Sequence, residues 1–197
     1  MAGSGWTDAL NMICKQHVPI KLCLKGRERS PEGFVAAVGE KLMIFAELYD
    51  FIPMGYLVYS IDQIEELDEL TGFYEGIVEQ EHLYESFGKI PQVCLNGWKQ
   101  VMEDLMEQDR IFGIELTDES YYPGKIERLT ERTVKLRCFS PEGEWDDMPL
   151  SIRHSQIGNL KLGDPYTEMF VKYLPELPEN FRKTKECDTL LASIEID

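Results

Sequence analysis

Two stretches of this chain read as versions of one another. Trp6-Thr-Asp-Ala-Leu-Asn-Met-Ile-Cys-Lys-Gln can be laid over Trp98-Lys-Gln-Val-Met-Glu-Asp-Leu-Met-Glu-Gln at an offset of 92 residues (98 − 6). Ala9 then meets Val101, Leu10 meets Met102, Ile13 meets Leu105 and Cys14 meets Met106. Apolar positions spaced i, i+1, i+4 and i+5 lie along one face of a helix. Asn96 and Gly97 before the second copy, with acids following, mark a helix start at its positive dipole end.

The correspondence continues beyond the helices. Ile20-Lys-Leu-Cys-Leu lies over Phe112-Gly-Ile-Glu-Leu, and their period-two apolar spacing predicts half-buried strands. Polar, turn-rich stretches follow over 27–32 and 117–123. Gly33-Phe-Val-Ala-Ala-Val then meets Gly124-Lys-Ile-Glu-Arg-Leu, shifted by one residue, and Met43-Ile-Phe meets Val134-Lys-Leu. Tyr59-Ser-Ile-Asp-Gln-Ile-Glu-Glu-Leu lies over Ile152-Arg-His-Ser-Gln-Ile-Gly-Asn-Leu, now 93 apart (152 − 59). Loops accept insertions and deletions, so drifts of one residue are expected between duplicated units. The chain therefore divides into a unit over 1–92, a second over 93–175 and a C-terminal tail over 176–197. Each unit reads helix, four or five short strands, then a short amphipathic segment. Closely spaced strands joined by tight turns predict an antiparallel sheet that bends and closes, hiding its edges. The expected fold is α+β, mainly β: two tandem small bent-sheet barrels, each preceded by a short helix.

At the level of fold this pattern resembles the Sm-like family of small SH3-type barrels. Gly33-Phe-Val-Ala-Ala-Val-Gly-Glu-Lys-Leu-Met-Ile-Phe and Gly124-Lys-Ile-Glu-Arg-Leu-Thr-Glu-Arg-Thr-Val-Lys-Leu are similar to that family's first motif. Ile152-Arg-His-Ser-Gln-Ile-Gly-Asn-Leu is similar to its second, with Ser60-Ile-Asp-Gln-Ile-Glu-Glu-Leu a fainter counterpart. The matches cover about half of the chain. The resemblance implies an RNA-binding or RNA-processing accessory, with Arg153 as the residue nearest the family's basic position. The turns Gly39-Glu40-Lys41 and Thr130-Glu131-Arg132 lack the Asp and Asn that the family's RNA binders carry there. Asp62-Gln63 also stands where a base would serve RNA.

Charge argues the same way. The 197 residues hold 36 acids against 20 bases, a formal charge of −16, which repels phosphate backbones at long range. Nucleic acid is disfavoured, and an acidic face suits a basic protein partner. Five cysteines (Cys14, Cys23, Cys94, Cys138, Cys187) form an odd set without a C-x-x-C pair, which predicts reduced thiols and a cytoplasmic location. No apolar run approaches the roughly 20 residues of a membrane helix, so no membrane contact is expected.

Catalytic motifs are missing. The three histidines, His17, His82 and His154, make no ligand pattern: Glu79-Gln-Glu81-His82-Leu-Tyr-Glu85 lacks a second His at i+4 and reads as a solvated acidic helix face. His154 and Ser155 are read as strand neighbours, which point to opposite faces. No cofactor, metal site or enzyme activity is expected.

Two surfaces suit binding. Pro141-Glu142-Gly143-Glu144-Trp145-Asp146-Asp147 is an acidic loop around an aromatic, and its counterpart over 49–56 offers Phe51 and Tyr56. Aromatic anchors ringed by acids fit a protein interface. Tyr121-Tyr122-Pro123 is read as a second aromatic loop. The expected function is a non-enzymatic protein-binding or regulatory module, such as an inhibitor of a basic partner, centred on Trp145, Asp146 and Asp147.

Overall fold

The computed structural model describes residues 4–181 and 183–185. The remainder of the expected tail, with Arg182, Leu190, Leu191 and Ile194, lies outside the described residues, as does Cys187.

The fold is mixed α+β and mainly β. Its elements run α1 (Ser4–Gln16), β1 (Ile20–Leu24), β2 (Glu32–Val38), β3 (Leu42–Tyr49), β4 (Ile52–Ser60), a 3₁₀ turn (Ile61–Gln63), β5 (Ile64–Glu69) and α2 (Phe73–Gln80). The series then recurs as α3 (Trp98–Glu107), β6 (Ile111–Leu116), β7 (Tyr121–Leu129), β8 (Thr133–Cys138), β9 (Leu150–Arg153), a 3₁₀ turn (His154–Gln156), β10 (Ile157–Leu162) and α4 (Pro165–Val171). A two-residue strand, β11 (Thr184–Lys185), runs parallel to β7.

The first ten strands form one open antiparallel sheet in the order β5-β1-β2-β3-β4-β10-β6-β7-β8-β9. Within each set of five, the last strand in sequence lies beside the first. The two sets meet where β4 pairs β10, with Tyr59 opposite Asn159, Val58 opposite Leu160 and Leu57 opposite Lys161. Edges are not abolished, as closure would have required: the sheet ends at β5 and β9.

Local chemistry repeats with the elements. Gly33 faces Glu47 across β2–β3, and Gly124 faces Cys138 across β7–β8. A Cβ on Gly33 would overlap the Ala46 carbonyl oxygen, and one on Gly124 would overlap that of Arg137. Both glycines let the partner strand's backbone close in where the sheet bends. Bulges follow at matched places, between Val35 and Ala37 in one ladder and between Ile126 and Arg128 in the other. Bulges increase strand twist and bending.

Two apolar clusters hold the molecule. One joins Leu10 and Ile13 of α1 to Ile20, Leu22, Val35, Met43, Phe45, Leu57 and Tyr59. The other joins Val101, Met102, Leu105 and Met106 of α3 to Phe112, Ile126, Leu136 and Leu160, and also takes in Phe34, Ile44 and Val58. Thus β2, β3 and β4 bury both faces, which explains their near-continuous apolar runs.

Several local expectations give way. The 49–56 segment is not a loop: Asp50 (φ 49°) and Phe51 (φ 65°) make a two-residue turn, and the flanking residues pair as strands. Tyr121-Tyr122-Pro123 opens β7 rather than ending a loop. Its Pro123 sits opposite Gly113 in the β6–β7 ladder, and the absent N–H does not stop the flanking residues from pairing. The acidic segment around His82 leaves the helix at Gln80, because His82 takes a left-handed φ of 51°. His154 and Ser155 occupy a 3₁₀ turn, not a strand.

Candidate functional site

The loop joining β8 to β9 is held from beneath by a charge. Arg137 is only 2% exposed, and its Nε and Nη2 reach one carboxylate oxygen of Glu127 at 2.8 and 2.5 Å. Its Nη1 donates to the carbonyls of Asp146 and Asp147 at 3.0 and 2.5 Å. The acids that sequence reading placed at an interface are therefore fixed by their backbones, while their side chains stay exposed. Arg137 gave no signal in the sequence, since it holds a polar position in an alternating strand; the loop folding over it creates its burial.

Trp145 is half-buried in that loop. Its backbone bridges Phe139, its ring stands edge-on to Phe139 at 5.6 Å, and its Nε1 donates to the Pro175 carbonyl at 3.1 Å. From Phe139 an aromatic series leads on to Phe170 (5.3 Å), Tyr166 (4.7 Å) and Tyr121 (6.2 Å). α4 is set by Asp164, which accepts from the Thr167 N–H at 3.0 Å, with Pro165 at the first helical position. Tyr166 and Met169 of α4 are exposed, as are Tyr173 just beyond it (79%) and Met148 in the hairpin loop (76%). Exposed aromatic and Met side chains thus stand on α4, just beyond it and in the hairpin loop, and Glu142, Glu144, Asp146, Asp147 and Glu168 of the same two segments are exposed as well. The spacing of Tyr166, Met169 and Tyr173 was the readable sign of this face.

The other expected residues divide. Tyr121 joins the series, its hydroxyl 2.8 Å from Thr167 Oγ1 and 3.4 Å from Asp164, with Lys161 over its ring. Burial above all pushes that phenol well above its usual range. Tyr122 packs against the large core. Tyr56 is buried and donates to the Gly88 carbonyl at 2.6 Å, and Phe51 packs on Tyr74 at 4.7 Å. Those two brace the first half and do not join Trp145. Arg153 is exposed on β9.

A second polar feature lies at the β4–β10 seam. A cavity of about 200 Å³ is lined by Arg27, Arg29, Glu47, Glu115, Asn159 and Lys161, among others. Arg27 crosses from the first half to pair with Glu115 and to donate to the Leu116 carbonyl at 3.1 Å. Lys161 (2.9 Å) and the Asn159 amide (2.9 Å) converge on the same carboxylate. Burial raises the Glu115 pKa, but the hydrogen bonds and charges of Arg27 and Lys161 outweigh it and hold the carboxyl below its usual range. Among the described residues Glu47 has only the exposed Arg29 as an ion-pair partner, and its burial pushes it up. The arrangement ties the halves together.

Cys23, Glu66 and Asp68 place ligand atoms within 4.8 Å of one another, and both carboxylates are exposed. Among the described residues no helix is long and apolar enough to cross a membrane. No family model, curated protein or solved structure matches the chain.

Proposed function

We propose that this chain is a non-enzymatic protein-binding module, built of two tandem bent-sheet units of the SH3/Sm-like kind, that engages a basic partner through the Trp145 loop and the outer face of α4. The observation that carries the reading is the exposed Tyr166, Met169 and Tyr173 beside a tryptophan loop pinned by Arg137. A surface that is held rigid before binding loses little entropy on association, and aromatic and Met side chains supply contact area. The acids around it favour a partner of opposite sign and speed encounter at low salt.

The test is capture of partners from lysate of the source organism on the immobilised chain, with and without nuclease. A protein retained by the wild type and lost with Trp145→Ala and with Asp146→Lys/Asp147→Lys supports the proposal. RNA retained by the wild type and lost with Arg153→Ala, while the Trp145 and Asp146/Asp147 variants behave normally, favours an Sm-like RNA accessory instead.

A further inference from the structure

The seam between the halves and the two end strands of the sheet belong together. β4 pairs β10, that is, the fourth strand of one five-strand set pairs the fifth strand of the other. The edges left over are β9, the fourth strand of the second set, and β5, the fifth strand of the first. Among the described residues β9 pairs only with β8, and β5 only with β1. We infer that a second copy of this chain docks its β5 onto β9 in the geometry of the internal seam, so that copies associate head to tail.

The occupant follows from register and charge. Carrying the seam pairs across by the repeat offset of 93 (152 − 59) sets Ile152 opposite Glu66, Ser151 opposite Leu67 and Leu150 opposite Asp68 of the next copy. Continuing that register sets Arg153 opposite Glu65, with Glu66 the next residue along on the other face. β5 carries Glu65, Glu66, Asp68 and Glu69 and no base. β9 carries Arg153 and no acid, and Lys135 of β8 stands beside Ser151. Acids on an edge strand keep it from pairing indiscriminately; a basic counter-edge makes the same acids selective. A contact between like edges would set acids against acids at β5, or Arg153 against Arg153 at β9, so two-fold β5–β5 and β9–β9 pairings are disfavoured. A head-to-tail contact instead leaves a free β5 and a free β9 at the ends, which recruit further copies.

The inference rests on the equivalence of the two units, not on the Trp145 surface, whose own test is partner capture. The experiment is sedimentation of the full chain over a concentration series at low and high salt. The wild type is expected to grow beyond a dimer with concentration and to weaken as salt rises. Arg153→Glu alone, and Glu65→Lys/Glu66→Lys alone, each weaken association by about tenfold or more through like-charge contact. The combined Arg153→Glu/Glu65→Lys/Glu66→Lys chain regains assembly. All three positions are exposed, so circular dichroism should be unchanged. A wild type that stays monomeric throughout, an assembly that ignores these charges, or a combined variant that fails to recover would each overturn the inference.

Discussion

Gly158→Ala tests how the halves are held together. Gly158 sits in the bulge between Ile157 and Asn159 of the β10–β6 ladder, and a Cβ there would overlap Nη2 of Arg27 and crowd the Leu116 carbonyl oxygen at 2.9 Å. The guanidinium would have to leave the seam. Its side chain is 12% exposed and that of Glu115 is 14%, so this is a largely buried pair. Breaking a fully buried pair by removing one partner costs about 3–5 kcal/mol. Glu115 still keeps Lys161 and Asn159 at 2.9 Å, which lowers the expected loss to about 2–3 kcal/mol. With an m-value of about 2–3 kcal/mol/M for a chain of this size, the urea midpoint falls by about 1 M. Arg27→Met provides the control. In the double variant the alanine should cost clearly less than it does alone, because the side chain it displaces has gone and only its crowding of the Leu116 carbonyl remains. A midpoint unchanged by Gly158→Ala, or losses that simply add in the double variant, would refute the reasoning.

Other expectations concern separate parts of the molecule. Arg137→Met should cost about 3 kcal/mol by stranding Glu127, and the fluorescence of Trp145 should shift to the red as its loop loosens. Gly33→Ala and Gly124→Ala should each destabilise by about 2–3 kcal/mol in thermal or urea unfolding, since the overlap is with backbone and cannot be relieved by a rotamer change. The two seam carboxylates should respond oppositely to pH. Glu115, held low, contributes stability present above its unfolded value of about 4.3 and lost as pH falls through its folded value. Glu47, pushed up by burial, makes stability decline as pH rises from about 4.3 through its folded value, and Glu47→Gln should remove that slope from urea midpoints. Burial, and secondarily the charge of Asp146, pushes the Cys138 thiol up to about 12, so native protein should resist alkylation there at pH 8 until unfolded.

Much of the local structure was open to a reading of the chain alone. The helix faces of Leu10, Ile13, Val101 and Leu105 follow from spacing, and these residues are buried in the two cores. Gly33 and Gly124 were visible as the start of matching motifs, but the carbonyls they make room for belong to strands more than ten residues away. The Trp145 loop could be found by its composition. The exposed face of α4 beside it is marked only by the spacing of Tyr166, Met169 and Tyr173; that Phe170 turns inward follows from its packing against Phe139, which leaves it half-buried. Whether Tyr56 and Phe51 pack inward was not legible either, since an aromatic in a short segment looks alike whether it is exposed or packed; the structure sets Tyr56 in the core and Phe51 against Tyr74.

What the sequence determined by itself is what depends on neighbours along the chain: helix and strand periodicity, the recurrence of one element order, tight turns, and an acidic balance that opposes phosphate. The tertiary structure alone decided which strand edges meet. A backbone edge carries the same N–H and C=O groups at β4, β5, β9 and β10, so hydrogen-bonding capacity cannot choose among them. The choice falls to side chains brought in from distant segments, with Arg27 crossing to Glu115 at the β4–β10 seam, and among the described residues it leaves acidic β5 and Arg153-bearing β9 at opposite ends of one sheet.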